Sequence, residues 1–552
     1  MELYRVREKD LAEEKLFLRK SSGLVRQWSM LDIFVYNSWS WPTVLAAWIF
    51  SYCIFFPLGN IPLAILLIAI LCGFQVTVYP MLISAMPRAG GDYVWQSRML
   101  HGGIAFVFLM VGWFLALSMW VPIISQYNTQ MFLSPYLFML GYRDLAIWLR
   151  SMDAMAIGTF ISIGLMVLIL LTGVKASMAV TRYVYYANAV GLVIFFVIFA
   201  LSSQDAFVAN WNAMMTNTYG YQGNAYEDTI AAGQAIIASD YGAYIPKSVW
   251  DVPSIDQTLK LVPMLAFYAV WSMWGSPMYG EVRRATDFKR AFLSMQVPNI
   301  LWNALAAAYV ILSVNVMGFE FWQSSNLLFW YQDFNLMPVF PFPPAFAYLL
   351  MPSNVALYVV GFVVLTTMAF TFMINMIASW GTFRVIFAMS FDRLLPAWLA
   401  NVNEKGVPYW VVLFYYGIVC IPTTAAYFWV PGVYQIFLAA TLVLTNVFFF
   451  TSIAGAIYPF RMRDHFNRSP ISKYKFGGVP VITIAGIVSA AFMLWLLIMY
   501  AIDPTYGVNN LVSVQYMVIL YVGCAVYYAI VHYYRKRQGI DLNVIFKAVP
   551  VE

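Results

Sequence analysis

The sequence predicts an all-α polytopic membrane protein of about twelve transmembrane helices. It predicts a five-plus-five inverted repeat in which helices 1 and 6 are broken, followed by two C-terminal helices. Three observations carry this reading. The 552 residues are 62% hydrophobic and only 10% charged, against about 25% charged in an ordinary soluble chain, so lipid must cover the apolar surface. Under a twelve-span count, 27 of the 31 Lys and Arg residues fall on one side of the membrane. Spans one and six both carry polar and helix-breaking residues near their middles.

Apolar runs of about 20 residues cross the hydrocarbon core. They lie at roughly 30–55, 59–85, 103–131, 154–174, 178–201, 260–281, 291–316, 354–382, 408–429, 432–459, 479–502 and 511–534. With the N-terminus inside, only Arg143, Arg150, Lys247 and Lys260 remain outside. A miscount of one span would scramble that division. The positive-inside rule therefore places both termini in the cytoplasm of a multi-pass cell-membrane protein. The chain divides into a cytoplasmic tail (1–28), a first five-helix repeat (29–201), an extracellular loop (202–259), a second repeat (260–459), helices 11 and 12 (460–534) and a cytoplasmic C-terminal tail (535–552). The first 28 residues are charged and lack an apolar core, so no cleavable signal is expected there, only a partly helical tail. Outside segments carry eleven acidic residues against the four basic ones. Their longest member, 202–259, has no run able to span; it reads as a cap or lid, or equally as a solvated loop. Cys53, Cys72, Cys420 and Cys524 all sit in apolar runs without CxxC spacing and read as small buried side chains. The Asn467-Arg468-Ser469 sequon falls in a basic inside loop and is attributed to chance.

The breaks point to function. In span one, Asn37-Ser38-Trp39-Ser40-Trp41-Pro42 interrupts the apolar run. Proline removes a donor and clashes one turn back, and Asn and Ser bond locally to freed backbone. In span six, Ser272, Gly275, Ser276 and Pro277 cluster halfway along. Non-helical backbone at membrane depth lines a cavity or is buried in protein, and matched broken spans five apart mark a transporter site. A pair of ordinary proline kinks is the blander alternative. Half-helix N-termini suit a carboxylate, and half-helix C-termini suit an ammonium or a cation; a zwitterion matches both. Trp39, Trp41, Trp271 and Trp274 either wall such a site or face lipid and packing neighbours.

Two connecting stretches add a family resemblance. Residues 86–117 contain Pro87, Gly90, Gly91, Tyr93, Gly112 and Trp113 in order. Residues 383–410 contain Arg384, Ala388, Met389, Asp392, Leu395, Pro396 and Pro408. Together with Gly280-Glu281-Val282-Arg283-Arg284-Ala285, they resemble the signatures of the amino acid–polyamine–organocation transporter superfamily over about 30–460. The resemblance implies alternating access around spans one and six and a substrate that is an amino acid or related amine. By position it adds Ala116, Leu117 and Trp120 in span three and Thr367 and Thr371 in span eight. The chain also departs from the pattern. Asn37-Ser38-Trp39-Ser40 replaces the usual Gly-x-Gly, and Trp271-Ser272-Met273 replaces Gly-Phe-Glu. Bulk thus stands where the substrate lies, and the resemblance does not carry one substrate over. The candidate substrate-binding set is Asn37, Ser38, Trp39, Ser40, Ala116, Leu117, Trp120, Trp271, Ser272, Met273, Trp274, Gly275, Thr367 and Thr371.

Charges inside membranes are costly and usually functional. Asp32 at the inner start of span one and Glu281 at the inner end of span six are coupling or gate candidates. Each could carry a proton or pair with Arg283, Arg284 or Arg384, the last itself a coupling or gate candidate, and a salt-bridged inner gate is the simpler expectation. Asn188 stands where some proton-coupled relatives place a Lys. Thr366, Thr367 and Thr371 could hold Na⁺ with span-one carbonyls, or simply bond their own helix. His101, His465 and His532 lack metal spacing, and no metal or other cofactor is expected. No Walker sequence appears, so transport would be secondary, with coupling to H⁺ or Na⁺.

The expected function is secondary active transport of amino acids or related small amines. The alternatives are a permease for another small polar solute, such as a nucleobase or organic cation, and a non-transporting membrane sensor or scaffold. No acid/base or nucleophile constellation suggests an enzyme. The expected partners are a small-molecule substrate and the lipid bilayer, with no nucleic acid; no oligomeric state is predicted.

Overall fold

The computed structural model describes residues 26, 28–39, 51, 53–242, 246–331, 336–403 and 406–547. The described chain is helical apart from one small hairpin. Its strands β1 (Lys475–Phe476) and β2 (Val479–Pro480) pair antiparallel, with Lys475 opposite Pro480. The helices that matter for the site are, in chain order, α1 (Met30–Asn37), α2 (Ile61–Ala85), α3 (Asp92–Met99), α4 (Gly102–Met139), α5 (Met152–Thr172), α6 (Val174–Ala200), α7 (Gln204–Tyr219), α8 (Ala225–Tyr241), α9 (Ile255–Ala269), α10 (Phe288–Met317), α11 (Phe319–Trp330), α12 (Ser353–Phe391), α13 (Tyr409–Trp429), α14 (Thr441–Arg461), α15 (Val481–Ile502) and α16 (Leu511–Arg537).

Ten of these are long and apolar enough to cross a membrane: α2, α4, α5, α6, α10, α12, α13, α14, α15 and α16. They coincide with ten of the twelve apolar runs. The two runs without a continuous spanning helix among the described residues are the first and the sixth. This is an all-α, polytopic membrane protein.

Local sequence sets the ends of these helices. Asn60 caps α2, its side-chain oxygen accepting from the Leu63 N–H at 2.8 Å, and Pro62 occupies the first turn, where no donor is needed. Ser151 caps α5 and Asn510 caps α16 in the same way. Span three runs longer than predicted, to Met139. Two π-helical stretches, Met110–Ala116 and Asn128–Leu133, lie within it. Such wide turns recur at functional sites.

The 202–259 segment is itself helical. Ser203 caps α7, and the left-handed Gly220 ends it. Phe207, Trp211 and Met215 recur every four residues along its buried face. Helices α8 and α11 pack on each other beside it. At the membrane core, α2 packs on α10, α9 and α15, α6 on α12, and α14 on α15. Helix α16 buries only Ser513 and Cys524, and Val514, Val518, Ile519, Val522, Val526 and Ile530 are exposed.

Candidate substrate site

Helix α1 begins with a capping box. The Ser29 Oγ accepts from the Asp32 N–H at 3.1 Å, and Asp32 Oδ2 accepts from the Ser29 N–H at 2.9 Å. It ends eight residues later at Asn37, and its last carbonyls are met by the Ser38 and Trp39 N–H groups. Ser40, Trp41 and Pro42 lie outside the described residues. Span six stops at Ala269 in α9. Residues 270–275 turn tightly, with the Trp274 N–H bonded to the Trp271 carbonyl at 2.8 Å and the Ser276 N–H to that of Met273 at 2.8 Å. A 3₁₀ segment, Ser276–Glu281, resumes the direction with Pro277 in its first turn.

Freed backbone groups in these breaks find side-chain partners, as buried peptide groups must. The carbonyl of Val270 accepts from Gln75 Nε2 of α2 at 3.2 Å, and that of Phe267 from the Trp271 indole N–H at 2.5 Å. Asn37 joins the two breaks directly. Its Oδ1 accepts from the Gly275 N–H at 2.8 Å, and its Nδ2 donates to the Ser294 carbonyl of α10 at 3.0 Å. Gly275 is required by this approach. A Cβ there would stand 2.6 Å from Ile33 Cδ1 and 2.7 Å from Asn37 Oδ1.

The predicted residues fall into two groups. Trp120, Trp271 and Trp274 form one aromatic cluster with Trp113, Phe267 and Phe448; Trp271 and Trp274 stack at 5.0 Å, and Trp120 meets Trp271 edge-on at 5.0 Å. Ala116 and Leu117 are buried where the first wide turn of α4 ends, and Ser272 and Met273 are buried in the turn of span six. Trp39 lies in the second group. It stacks on Phe370 of α12 at 3.8 Å and approaches Tyr185 of α6, while Ser38 donates to its own helix at the Phe34 carbonyl. Tyr185 and Phe370 line a 160 Å³ cavity with Asn188, Leu192, Leu301 and Trp302. Asn188 Nδ2 donates to Thr367 Oγ1 at 3.4 Å, while Thr366 and Thr371 donate to carbonyls of their own helix. Asn37 spans the two groups. The indole N–H groups of Trp39, Trp113 and Trp120 are buried and find no acceptor among the described residues.

A family model described as amino acid permease matches residues 49–524. The chain belongs to the amino acid permease family. No curated protein matches it.

The permease's two signature stretches meet in space. Gly90 and Gly91 have φ of +90° and +37°, backbone that favours glycine. A Cβ on Gly90 would stand 2.6 Å from that of Ala388, and one on Gly91 would stand 2.8 Å from the backbone of Ser276. The Gly90 N–H donates to the Pro277 carbonyl at 3.0 Å. Tyr93 donates to Asp392 at 2.8 Å, and Arg98 grips the same carboxylate with two nitrogens at 2.6 and 3.0 Å. Gly112 and Trp113 seat α4. Val447 of α14 leaves no room for a side chain at Gly112, and Thr382 of α12 donates to the Trp113 carbonyl at 2.5 Å.

Of the gate candidates, Glu281 and Arg384 form a buried bidentate pair, Nε to Oε1 and Nη2 to Oε2, the second at 3.2 Å. The Arg384 guanidinium also lies over the Trp380 ring at 5.2 Å. Asp32 pairs instead with Arg182 at 3.4 Å, at the edge of a 570 Å³ vestibule that also holds Arg26, Lys175 and Arg283. Beside them, Trp28 bridges to Val282 in parallel: the Trp28 N–H bonds the Glu281 carbonyl at 3.1 Å and the Arg283 N–H bonds the Trp28 carbonyl at 3.0 Å.

Sequence reading missed Asp92, which is wholly buried next to the broken span six. It lies within the Gly-Gly-x-Tyr signature, in a connection that also carries Arg88 and Arg98, so its charge did not stand out in the sequence. Tyr79 and Thr451 donate to its Oδ1, each at 2.6 Å, and Ser276 donates to its Oδ2 at 3.1 Å. Burial raises its pKa above the ordinary carboxylate value, and the three hydroxyls pull it partly back.

Proposed function

We propose that this permease is a secondary transporter that moves an amino acid or related small amine by alternating access, through twelve spans with both termini cytoplasmic. The observation that supports this most is the bond between Asn37 and the Gly275 N–H, which puts the two helix breaks face to face. The C-terminal ends of α1 and α9 both point into that junction, and helix C-termini favour an ammonium group. The indole N–H groups of Trp113 and Trp120, buried and without an acceptor among the described residues, favour a carboxylate. The substrate site lies between these elements, with Trp39 and Thr367 on its far side.

The Trp28–Val282 bridge, Glu281–Arg384 and Arg98–Asp392 form one buried layer, which supports its reading as the cytoplasmic gate. Helices α7, α8 and α11 cap the extracellular side. An ion gradient drives the cycle, as H⁺ or Na⁺.

The test is uptake into liposomes reconstituted with the purified protein, using radiolabelled L-amino acids and polyamines. Gradient-driven uptake or exchange of at least one of them is expected; none from either pool refutes the reading. The cluster of Trp113, Trp120, Trp271 and Trp274 favours one other class, organic cations, since indole faces attract them. A thermal-shift screen with quaternary amines beside amino acids separates the two, because a ligand stabilises the state it binds.

A further inference from the structure

We propose that Asp92 is the proton-binding site of the transport cycle, and that its charge decides whether the 276–281 segment of broken span six stays docked on α2 and α14. The inference rests on the transport reading above and names its coupling group.

The other buried carboxylates at this face are each matched by a guanidinium. Asp392 has Arg98, Glu281 has Arg384, and Asp32 has Arg182. A fixed cation locks a carboxylate in its ionised form. Asp92 has none. Its partners are three hydroxyls, from Tyr79 on α2, Thr451 on α14 and Ser276 on the segment after the break. Hydroxyls donate to a carboxylate, and they also rotate to accept from a carboxylic acid. The same cage therefore serves both protonation states.

The charged and titratable groups on the surrounding elements are otherwise engaged. On α3, Tyr93 and Arg98 are committed to Asp392. On the 276–281 segment, Tyr279 bonds Ser294 and Glu281 bonds Arg384 of α12. On α14, Tyr458 bonds His465. Upstream, Arg88 donates to the Pro87 carbonyl, and His101 accepts from the Gly103 N–H at the start of α4. Burial raises the Asp92 pKa above its ordinary value, against the lowering pull of the three hydroxyls.

The consequence of protonation follows from the distances. The ionised carboxylate accepts from all three hydroxyls. When a proton adds to one carboxylate oxygen, that oxygen becomes a donor, and one hydroxyl must turn to accept. Ser276, at 3.1 Å against 2.6 Å for the others, is the most weakly held and sits on the element that must move. Neutral Asp92 loosens that element and ionised Asp92 holds it. Returning the proton to water on the other side re-docks the segment.

Two measurements test this. In reconstituted liposomes given a mixture of radiolabelled L-amino acids, an inward proton gradient is expected to raise wild-type uptake several-fold. The ratio with and without the gradient is expected to fall to about one in Asp92→Asn, which keeps an acceptor oxygen. Tyr79→Phe removes a donor to the ionised form and is expected to move the pH midpoint of uptake upward. Separately, infrared difference spectra of the detergent-purified protein, with no substrate, are expected to show a titrating carboxylic-acid band that Asp92→Asn lacks and Tyr79→Phe shifts to higher pH. An unchanged band in Asp92→Asn, or an unchanged gradient response, overturns the inference and leaves the transport reading intact. A wild type that moves no label while the Asp92 band titrates overturns the transport reading instead.

Discussion

At the scale of single residues, Asn37 and Asp92 are buried polar side chains with different tasks. Asn37 spends both ends of its amide on backbone, tying the first break to the second. Asn37→Ala strands a buried N–H and a buried carbonyl, and is expected to cost about 1–3 kcal/mol of stability. Ser84→Ala, which removes a back-bond to the Pro80 carbonyl, should stay within about 0.5 kcal/mol. Thermal unfolding of the two variants in detergent reads the difference, and equal losses would refute the bridging role. Asp92 gives a pH dependence with a definite sign. Its folded pKa lies above the ordinary value of 3.8, so the folded state holds the proton more tightly than the unfolded chain does. Its contribution is complete below that ordinary value and is lost as pH rises through the raised one. Asp92→Asn has no such term, so the melting temperature of wild type relative to Asp92→Asn should fall as pH rises from about 4; a constant difference refutes it. Of these two residues, the sequence marks the first as unusual and not the second. Asn37 was legible because an amide inside an apolar run contradicts its surroundings. Asp92 was not, because it falls in a connection, where a carboxylate is ordinary, and only the folded chain shows that three helices enclose it.

At the scale of elements, the ten continuous membrane helices were legible in the apolar runs because lipid imposes one length on each of them. The stop of span six at Ala269 was legible as well, since polar and proline residues at mid-depth contradict that rule, and α1 ends at Asn37 where the first such residues begin. Helices α7, α8 and α11 were not. The apolar residues of α7 recur on one face only, so it forms no apolar run of spanning length. Nor did the runs show which carboxylate meets which arginine, because Glu281 and Arg384 are 103 residues apart in the chain and pair only once α12 crosses the end of span six. That pair is buried on both sides, so removing one partner leaves an uncompensated charge. Glu281→Gln and Arg384→Gln are each expected to cost about 3–5 kcal/mol, and the double variant clearly less than their sum. A double-mutant cycle on unfolding in detergent measures the coupling, and additive losses would mean that the two side chains do not support each other.

At the scale of the whole molecule, the conformation is set by how the first signature stretch, the second signature stretch and the end of span six lock together. Gly90 and Gly91 let the first stretch lie against Ala388 and Ser276. Tyr93 and Arg98 then hold Asp392, and Arg384, one turn before Ala388, holds Glu281. The chain ahead of α1 joins the same layer through the Trp28–Val282 bridge. Sequence reading placed these motifs at the right intervals but gave no reason for them; the reason is that each supplies one face of a single contact layer. If that layer is the cytoplasmic gate, it must part in every cycle, and holding it closed must stop transport. Cysteines at Trp28→Cys and Val282→Cys, joined by a short bifunctional thiol reagent, provide the clamp on a variant in which Cys53, Cys72, Cys420 and Cys524 are replaced by Ala. Reaction is expected to abolish amino acid uptake into liposomes, and reduction of a cleavable linker to restore it. Each single-cysteine variant treated in the same way should keep its activity. Uptake that continues through complete cross-linking would show that the two segments travel together, and the moving boundary would then lie elsewhere, between the 276–281 segment and α2, where the Asp92 cage joins them.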